Sequence, residues 1–426
     1  MIFSEEQQRV IDHIQKGGSC ALLGKAGTGK SEVLRAALTG LPNVAICAST
    51  ASAATNLDMG ATTMHSLFGL KPVMYSPPEY GKKLGSFTKD VLKAIDTLVI
   101  EEVGMVRRDV FEMADHYLRK AKGNNIPWGG IQVVFVGDFG QIPPVLTKNE
   151  KAAYNHFYDS VWCFTSESFK WVDVFMLTKN YRQGVVRQQN ILKSIRDCDE
   201  NVAAAIDVLN KEARKYDQTD TSIPTICAYN KDANAINDYT FKRNTNPVVA
   251  FFSQDEGDPK HYKNFPVGDV LELKLGSLVK ICANDNETGE YHNGMVGEIV
   301  HLMPNQPVGV EVTSKDGEKR TVFVTPFTWT VIDYKLGTFG LSKHEVASRT
   351  QLPLKLAYAM TVHSCQGMTM DKVNINLGWR TFAQNLAYVA INRVRDTTDI
   401  AFVRPLRKDD ILVDKEVVEF YDKYEV

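Results

Sequence analysis

No stretch of this chain strings together the eighteen apolar residues that a membrane-crossing helix needs, which excludes an integral helical membrane protein. The opening residues, MIFSEEQQRV, carry acids where a secretory leader carries basic residues and an apolar run, so the chain is expected to be neither exported nor membrane-bound. Charge of one sign is also lacking. With 49 Lys and Arg against 51 Asp and Glu the formal charge is -2, so bulk charge says nothing about nucleic acid, although a groove lined locally by Lys and Arg stays compatible with it. Seven cysteines (Cys20, Cys47, Cys163, Cys198, Cys227, Cys282, Cys365) show no CxxC and no Cys/His metal spacing. That pattern points to reduced thiols in a cytoplasmic compartment. Repeats and low-complexity tracts are absent. What is present is ordinary: 426 residues, 44% hydrophobic and 23% charged, enough for two or three cores.

One segment departs from the ordinary. SCALLGKAGTGKSEVLRAAL gives a short apolar strand, then Gly24 to Ser31 as GKAGTGKS, then a helical pattern with Val33, Leu34, Ala37 and Leu38. This is GxxxxGK[ST] between strand and helix, a phosphate-binding loop. Glycines let the backbone curl around phosphates, so that N–H groups and a helix N-terminus face the negative charge. Gly27, Thr28 and Gly29 supply the cradle, Lys30 reaches the β- and γ-phosphates, and Ser31 holds Mg²⁺. A nucleotide and Mg²⁺ are therefore expected here. Kinases, GTPases and motors all use such a loop.

A second apolar run, Leu98, Val99 and Ile100, reads as a strand buried on both faces and ends in adjacent glutamates, Glu101 and Glu102. Strand ends are where open α/β sheets bind ligands. Successive strand side chains point to opposite faces, so the two carboxylates are expected to serve different partners: Glu101 the metal, Glu102 the attacking water. A kinase has little use for the second acid, which favours ATP hydrolysis over transfer to a small molecule. IQVVFVGDFGQIPPV then places Asp138 and Gln141 after another strand, and a glutamine amide can both donate to a γ-phosphate and accept from water. Far downstream, VFMLTKNYRQG, MTVHSCQGMTMDKV and LAYVAINRVRD carry Arg182, His363, Gln366 and Arg393. Arg182 and Arg393 are candidates for stabilising transition-state charge at the γ-phosphate from a second domain.

In this order the segments resemble the superfamily 1B helicases, specifically the Pif/RecD-like group that includes the phage helicase Dda. The resemblance runs from about Phe3 to Arg404. By similarity, FSEEQQ is the adenine-recognising element through Gln7, GKAGTGKS is motif I, ASTASAA with GATTMHSLFG covers motifs Ia and Ib, and IEEVGM is motif II. GDFGQIPPV is similar to motif III, LTKNYRQ to motif IV, TVHSCQGMTMD to motif V and YVAINRVRD to motif VI. The resemblance implies nucleotide contacts from Gln366 and Gly367 as well. It also implies DNA contacts from Thr50, His65, Asn230, Thr361 and His363, which sit at carboxyl ends of strands in the matching motifs. Contacts of that kind carry no sequence information, as a translocating motor requires.

Two departures stand out. Motif II usually begins Asp-Glu, so Glu101 puts one extra methylene at the metal-side position, with consequences expected for metal preference or rate. Motif V usually reads HKSQG, so Ser364 stands at a lysine position and a phosphate contact is expected to be lost.

The expected fold is α/β, with two RecA-like P-loop NTPase cores. Residues 1–175 form the first core, with an interruption at 70–90 that is too rich in Pro, Gly and aromatics for a core helix. That interruption is a candidate pin for turning aside the second strand of a duplex, using Tyr75, Pro77, Pro78, Tyr80 and Phe87 with Lys82 and Lys83. Residues 176–272 and 350–426 form the second core. Period-2 runs with Asn-Gly and Asp-Gly punctuation over 273–349 read as a small inserted β-barrel. The function implied is an ATP-dependent 5′ to 3′ helicase on single-stranded and forked duplex DNA. It would act as a monomer in a bacterial or phage-infected cell, with replication, repair or recombination proteins as further partners. Two alternatives stay open: a translocase that strips proteins without unwinding, and a DNA-binding scaffold with impaired turnover.

Overall fold

The structure, a computed structural model, describes residues 3–25, 27–49, 61–71, 73–77, 84–146, 150–179, 186–285, 288–304, 306–313, 318–337, 340–366 and 368–424. The chain divides into two compact units, the first made of Met1–Arg182, Thr330–Val346 and Glu419–Val426, the second of Gln183–Trp329 and Ala347–Val418.

The first unit is built on a parallel sheet of β1 (Cys20–Gly24), β2 (Val44–Ala48), β3 (Thr62–Thr63), β4 (Thr97–Glu101), β5 (Gln132–Gly137) and β6 (Asp173–Leu177), in the order β3-β2-β4-β5-β1-β6. Strands β1 and β4 are buried along their whole length, as apolar runs covered on both faces must be. Helix α1 (Glu5–Gln15) starts at a capping box in which Ser4 and Gln7 satisfy each other's backbone N–H groups, and acids Glu5 and Glu6 fill its first turn. Its buried stripe of Val10, Ile11 and Ile14 packs with Leu22, Val99, Val134 and with Val33 and Leu34 of α2 (Lys30–Ala37). Three further helices, α3 (Met64–Phe68), α4 (Ser86–Ala94) and α5 (Arg108–Lys122), follow along the chain, and α6 (Lys151–Phe157) lies between β5 and β6.

Two expectations for the 70–90 interval need correction. A helix does begin there, at Ser86, because Val91 and Leu92 form an apolar pair that α4 buries. Tyr75 is not a stacking residue: it is 7% exposed, its N–H donates to Asp109 Oδ2 at 2.8 Å, and its hydroxyl bonds back to the Lys71 backbone. Phe87 is 53% exposed, whereas Pro78, Tyr80, Lys82 and Lys83 lie outside the described residues.

The second unit holds helices α7 (Val186–Asp197), α8 (Val202–Glu212), α9 (Asn230–Arg243) and α10 (Leu386–Ile391). Its strands run from β7 (Thr225–Cys227), β8 (Val249–Phe252), β9 (Gln254–Gly257) and β10 (Val270–Leu273) to β11 (Leu278–Ile281), β12 (Val296–His301), β13 (Val308–Thr313) and β14 (Lys319–Val324). β15 (Phe327–Gly337) and β16 (Gly340–Gln351) are divided, because Thr330–Val346 belongs to the first unit, and the second unit continues with β17 (Leu354–Leu356), β18 (Ala359–Thr361), β19 (Val373–Asn376) and β20 (Ile400–Phe402). A parallel sheet, β18-β7-β19-β20, carries this unit's candidate residues, and a five-stranded antiparallel sheet, β14-β13-β12-β11-β17, packs Ile281, Ile299, Val310 and Leu354 into its own core. Antiparallel pairing reaches beyond 273–349 on both sides, through the β8/β10 pair before it and β17 after it. The run 350–426 also divides, because the last helix, α11 (Lys415–Asp422), ends in the first unit. There Phe420 meets Phe164 at 4.5 Å and Phe139 at 5.3 Å between ring centroids.

Candidate functional site

Register brings the motifs of the first unit to one sheet edge. Leu23 pairs with Gly137 across β1 and β5, Ile100 with Phe135 across β4 and β5, so the carboxyl ends of three adjacent strands release the phosphate loop, the acidic pair and the Asp138 turn side by side. Gly27 and Gly29 hold φ of 88° and 83°, which a side chain rarely adopts, and a Cβ on Gly29 would stand 2.8 Å from Gln7 Nε2. Thr28 donates to Lys25 O and closes the turn. Lys30 Nζ donates to the carbonyls of Gly24 at 2.6 Å and Lys25 at 3.2 Å, so the ammonium sits folded over the loop it is to serve. Ser31 follows, exposed in the first turn of α2. Gln7, 6% exposed, donates through Nε2 to Thr28 O at 3.2 Å while Oε1 accepts from Ser4 N–H, and so ties the N-terminal cap to the loop.

The two glutamates differ in backbone, and not as strand alternation has it. Glu101 is the last residue of β4, whereas Glu102 has left the strand in a left-handed conformation, φ 52° and ψ 43°, which a non-glycine residue adopts at a cost of about 1–3 kcal/mol. Glu101 is 7% exposed, and its Oε1 is buried with no hydrogen-bond partner. An orphaned anionic oxygen in that position calls for a cation. With the Ser31 hydroxyl it makes a donor set suited to Mg²⁺, which takes one or two protein ligands and otherwise phosphate and water. Among the described residues no three His, Cys, Asp or Glu side chains gather into a protein-only cage.

Burial first, and the neighbouring charge of Glu102 second, push the Glu101 carboxyl from 4.5 up to about 7, with Lys30 pulling the other way. The consequence for stability has a definite sign. Below pH 4.5 folded and unfolded chains both keep this proton, between 4.5 and 7 only the folded chain keeps it, and stability is lost as pH rises through that interval. In metal-free buffer, Glu101→Gln is expected to melt like the wild type at pH 4 and higher than it at pH 8, by a stabilisation on the order of 3 kcal/mol. Equal melting at pH 8 would mean that burial imposes no such penalty.

Asp138 organises the neighbouring turn. Its Oδ1 accepts from Gly140 N–H and from the hydroxyl of Tyr421, both at 2.8 Å, and Gln141 Nε2 lies 3.5 Å from Oδ2. Tyr421 also accepts from Phe139 N–H at 2.7 Å, so a residue of the last helix pins the turn that carries Gln141. Nothing in the sequence pattern marks Tyr421; only its place in an apolar stripe with Phe420 could have drawn attention to it.

In the second unit the strand ends again align: Thr361 pairs with Cys227, and Cys227 with Asn376. Thr361 and Ser364 close the motif V turn, with Ser364 Oγ donating to Thr361 O at 2.9 Å. His363 is half-buried and burial lowers its pKa; His65, on α3 of the first unit, is lowered by burial and by Arg107, with Asp109 opposing. Asn230 is exposed in the first turn of α9. Gln366 is half-buried, its N–H donating to His363 O. Arg393 is 1% exposed and donates to three carbonyls, those of Val389, Cys365 and Met368. Arg182, Thr50 and Gly367 lie outside the described residues, as does most of ASTASAA. The lost lysine at Ser364 has a neighbour of the same charge: Lys280, on β11, donates its Nζ to Ser364 O at 3.1 Å. A cation arriving from a strand about eighty residues upstream, |i−j| of 84, is invisible to a motif scan.

Comparison with known proteins follows the same lines. The model of the PIF1-like helicase family matches residues 2–206. The ATP-dependent DNA helicase PIF1 of Rattus norvegicus is 31% identical over 435 residues, covering 98% of this chain and 63% of its own length, so the chain spans less than two thirds of that relative. Among solved structures, Bacteroides sp Pif1 in complex with ADP-AlF4 is 30% identical and superposes with a TM-score of 0.88, covering 100% of this chain and 97% of that one. Bacteroides Pif1 bound to single-stranded DNA covers the same shares at a TM-score of 0.68. A phosphate loop and an acidic strand end are common to many NTPases; carried on one fold along nearly the whole of the Bacteroides protein, they make this chain a member of the PIF1-like helicase family.

Proposed function

We propose that this chain is an ATP-driven motor that moves 5′ to 3′ on single-stranded DNA and separates forked duplexes. The observation that carries the reading is the buried, unpartnered Glu101 Oε1 at the strand end next to the phosphate loop. Bound Mg²⁺ would supply charge neutralisation at the β- and γ-phosphates. The chain's own groups do the rest. Loop N–H groups and Lys30 hold the phosphates, and Glu102, placed just past the strand end by its left-handed backbone, orients a water. Gln141, held by Asp138, reports the γ-phosphate to the turn it belongs to. Arg182 and Arg393 are assigned to transition-state charge on their motifs; Arg393 does so only by exchanging its bonds to Val389, Cys365 and Met368. Support for the nucleic-acid partner comes from the Bacteroides relative, described in complex with single-stranded DNA.

DNA is gripped, in this reading, by His65, Thr361, His363 and Asn230, with Lys280 in the place of the missing motif V lysine. Lys280→Ala is expected to weaken single-stranded DNA binding and to make its salt dependence shallower by about 0.7 in the log–log slope, one phosphate's worth. Ser364→Lys in that background should restore the slope. An unchanged slope in Lys280→Ala would remove Lys280 from the interface.

Strand displacement on a forked duplex, run beside removal of a protein block from single-stranded DNA at matched ATPase rates, tests the function. Unwinding supports the helicase reading, block removal alone supports the protein-stripping translocase, and neither supports the scaffold.

A further inference from the structure

The four parallel strands of the second unit's sheet end along one edge, and the loop that follows β19 presents the most exposed large side chain on it. Trp379 is 85% exposed and Phe382 54%. Such rings on a loose loop would mean little, but this loop is held. Gly378 takes a left-handed turn, φ 62°, and its N–H donates to Asn376 Oδ1. Arg404 donates to the carbonyls of Gly378 at 2.6 Å and Trp379 at 3.2 Å, and is itself gripped by both oxygens of Asp410, which is 2% exposed. Tyr229 donates its hydroxyl to Arg380 O at 2.9 Å, and Thr381 to Asp410 O. An ion pair to a buried aspartate and five further hydrogen bonds thus hold a loop whose indole stands in water, which no packing role explains.

The surroundings define a ligand. Tyr229 and Phe382 rings lie 5.1 Å apart at 38°, giving a second flat surface beside the indole. Cations flank them: Lys231 Nζ is 5.6 Å from the Tyr229 ring, Arg407 is 5.8 Å from the Trp379 ring, and Arg380, next to Trp379 in the chain, is exposed. Against these stand Asp232 near Gly378, and Asp410, which Arg404 holds. Flat rings among cations fit unstacked bases on a phosphate backbone, in a sequence-tolerant way. The edge is also continuous with the proposed grip. Thr361, Cys227 and Asn376 are in register on neighbouring strands, so the platform begins about 10 Å, two strand spacings, from the motif V turn, with Asn230 between.

We infer that Trp379, with Phe382 and Tyr229, is a base-stacking platform that extends the single-stranded DNA path from the motif V turn across β7 to the loop after β19. This rests on the reading of that edge as the DNA interface. The test uses the full chain with a thymidine oligonucleotide and an abasic oligonucleotide of the same length. Trp379→Ala should bind the thymidine strand about tenfold more weakly, an effect within the range for loss of one stacked base, and bind the abasic strand as the wild type does. Trp379→Phe should recover most of the loss. Equal affinity of Trp379→Ala and wild type for the thymidine strand overturns the inference, and so does equal loss on both strands, because a stacking surface cannot act on a strand without bases. If Trp379→Ala binds DNA normally but sediments as a smaller species than the wild type, the face takes a second copy of the chain and the inference is likewise overturned. Thr361→Ala with His363→Ala serves as the companion variant. Weakened binding there with normal binding in Trp379→Ala sinks the platform alone, and normal binding in both sinks the interface itself.

Discussion

Lys30→Ala is expected to abolish ATP turnover and to leave single-stranded DNA binding largely intact. The reasoning is local. Lys30 is the ammonium already lodged against the Gly24 and Lys25 carbonyls at the phosphate loop. Phosphates entering the loop take over that ammonium, whose single charge is the loop's counterpart to the β- and γ-oxygens. Removing it costs binding in the ground state and more in the transition state, where negative charge is transferred, so turnover falls by a factor on the order of 10³ or more. The residues proposed for DNA sit on other elements, α3, α9 and the motif V turn, so binding of the strand is expected to survive. Steady-state hydrolysis and filter binding on the same preparation check it. Near wild-type turnover would remove the phosphate loop from the mechanism.

Glu102→Gln is expected to bind ATP but to hydrolyse it about 10²- to 10⁴-fold more slowly, the range for loss of a positioned general base. Glutamine preserves size and hydrogen bonding, so the strained left-handed turn at this residue is kept and only the proton acceptor is lost. Glu101→Asp, which shortens the arm to the length usual in motif II, stays active. Single-turnover hydrolysis with separately measured ATP affinity distinguishes the roles. Normal hydrolysis by Glu102→Gln together with a dead Glu101→Gln would exchange them: Glu101 would then be the base, and its pKa near 7 a catalytic feature instead of a mark of an awaiting cation.

What could be read in advance was whatever is written within some twenty consecutive residues. Cys20 to Leu38 encode strand, loop and helix by local rules of burial, glycine and amphipathicity, and Leu98 to Glu102 encode a buried strand that ends in acid. The rest depends on contacts between distant residues. Tyr421 reaches Phe139 across 282 positions, and Lys280 reaches Ser364 across 84. Neither has any local signature. Tyr75 looked available for stacking because prolines and glycines surround it, yet Asp109, 34 residues on and wholly buried, claims its backbone. Period-2 alternation found most of the antiparallel strands but not their ends, because β17, three residues long, is a strand only through its pairing with β11. The αL turn at Glu102 shows the same limit: alternation assumes that both acids lie on the strand, and the backbone leaves the strand at the second of them.

The measurement that bears most directly on the account is steady-state ATP hydrolysis by the full chain as single-stranded DNA is titrated in, with Lys30→Ala as background. The account predicts a low rate without DNA and a saturable, several-fold rise with it, independent of base sequence. A rate that is the same with and without DNA, and well above the Lys30→Ala background, would contradict it.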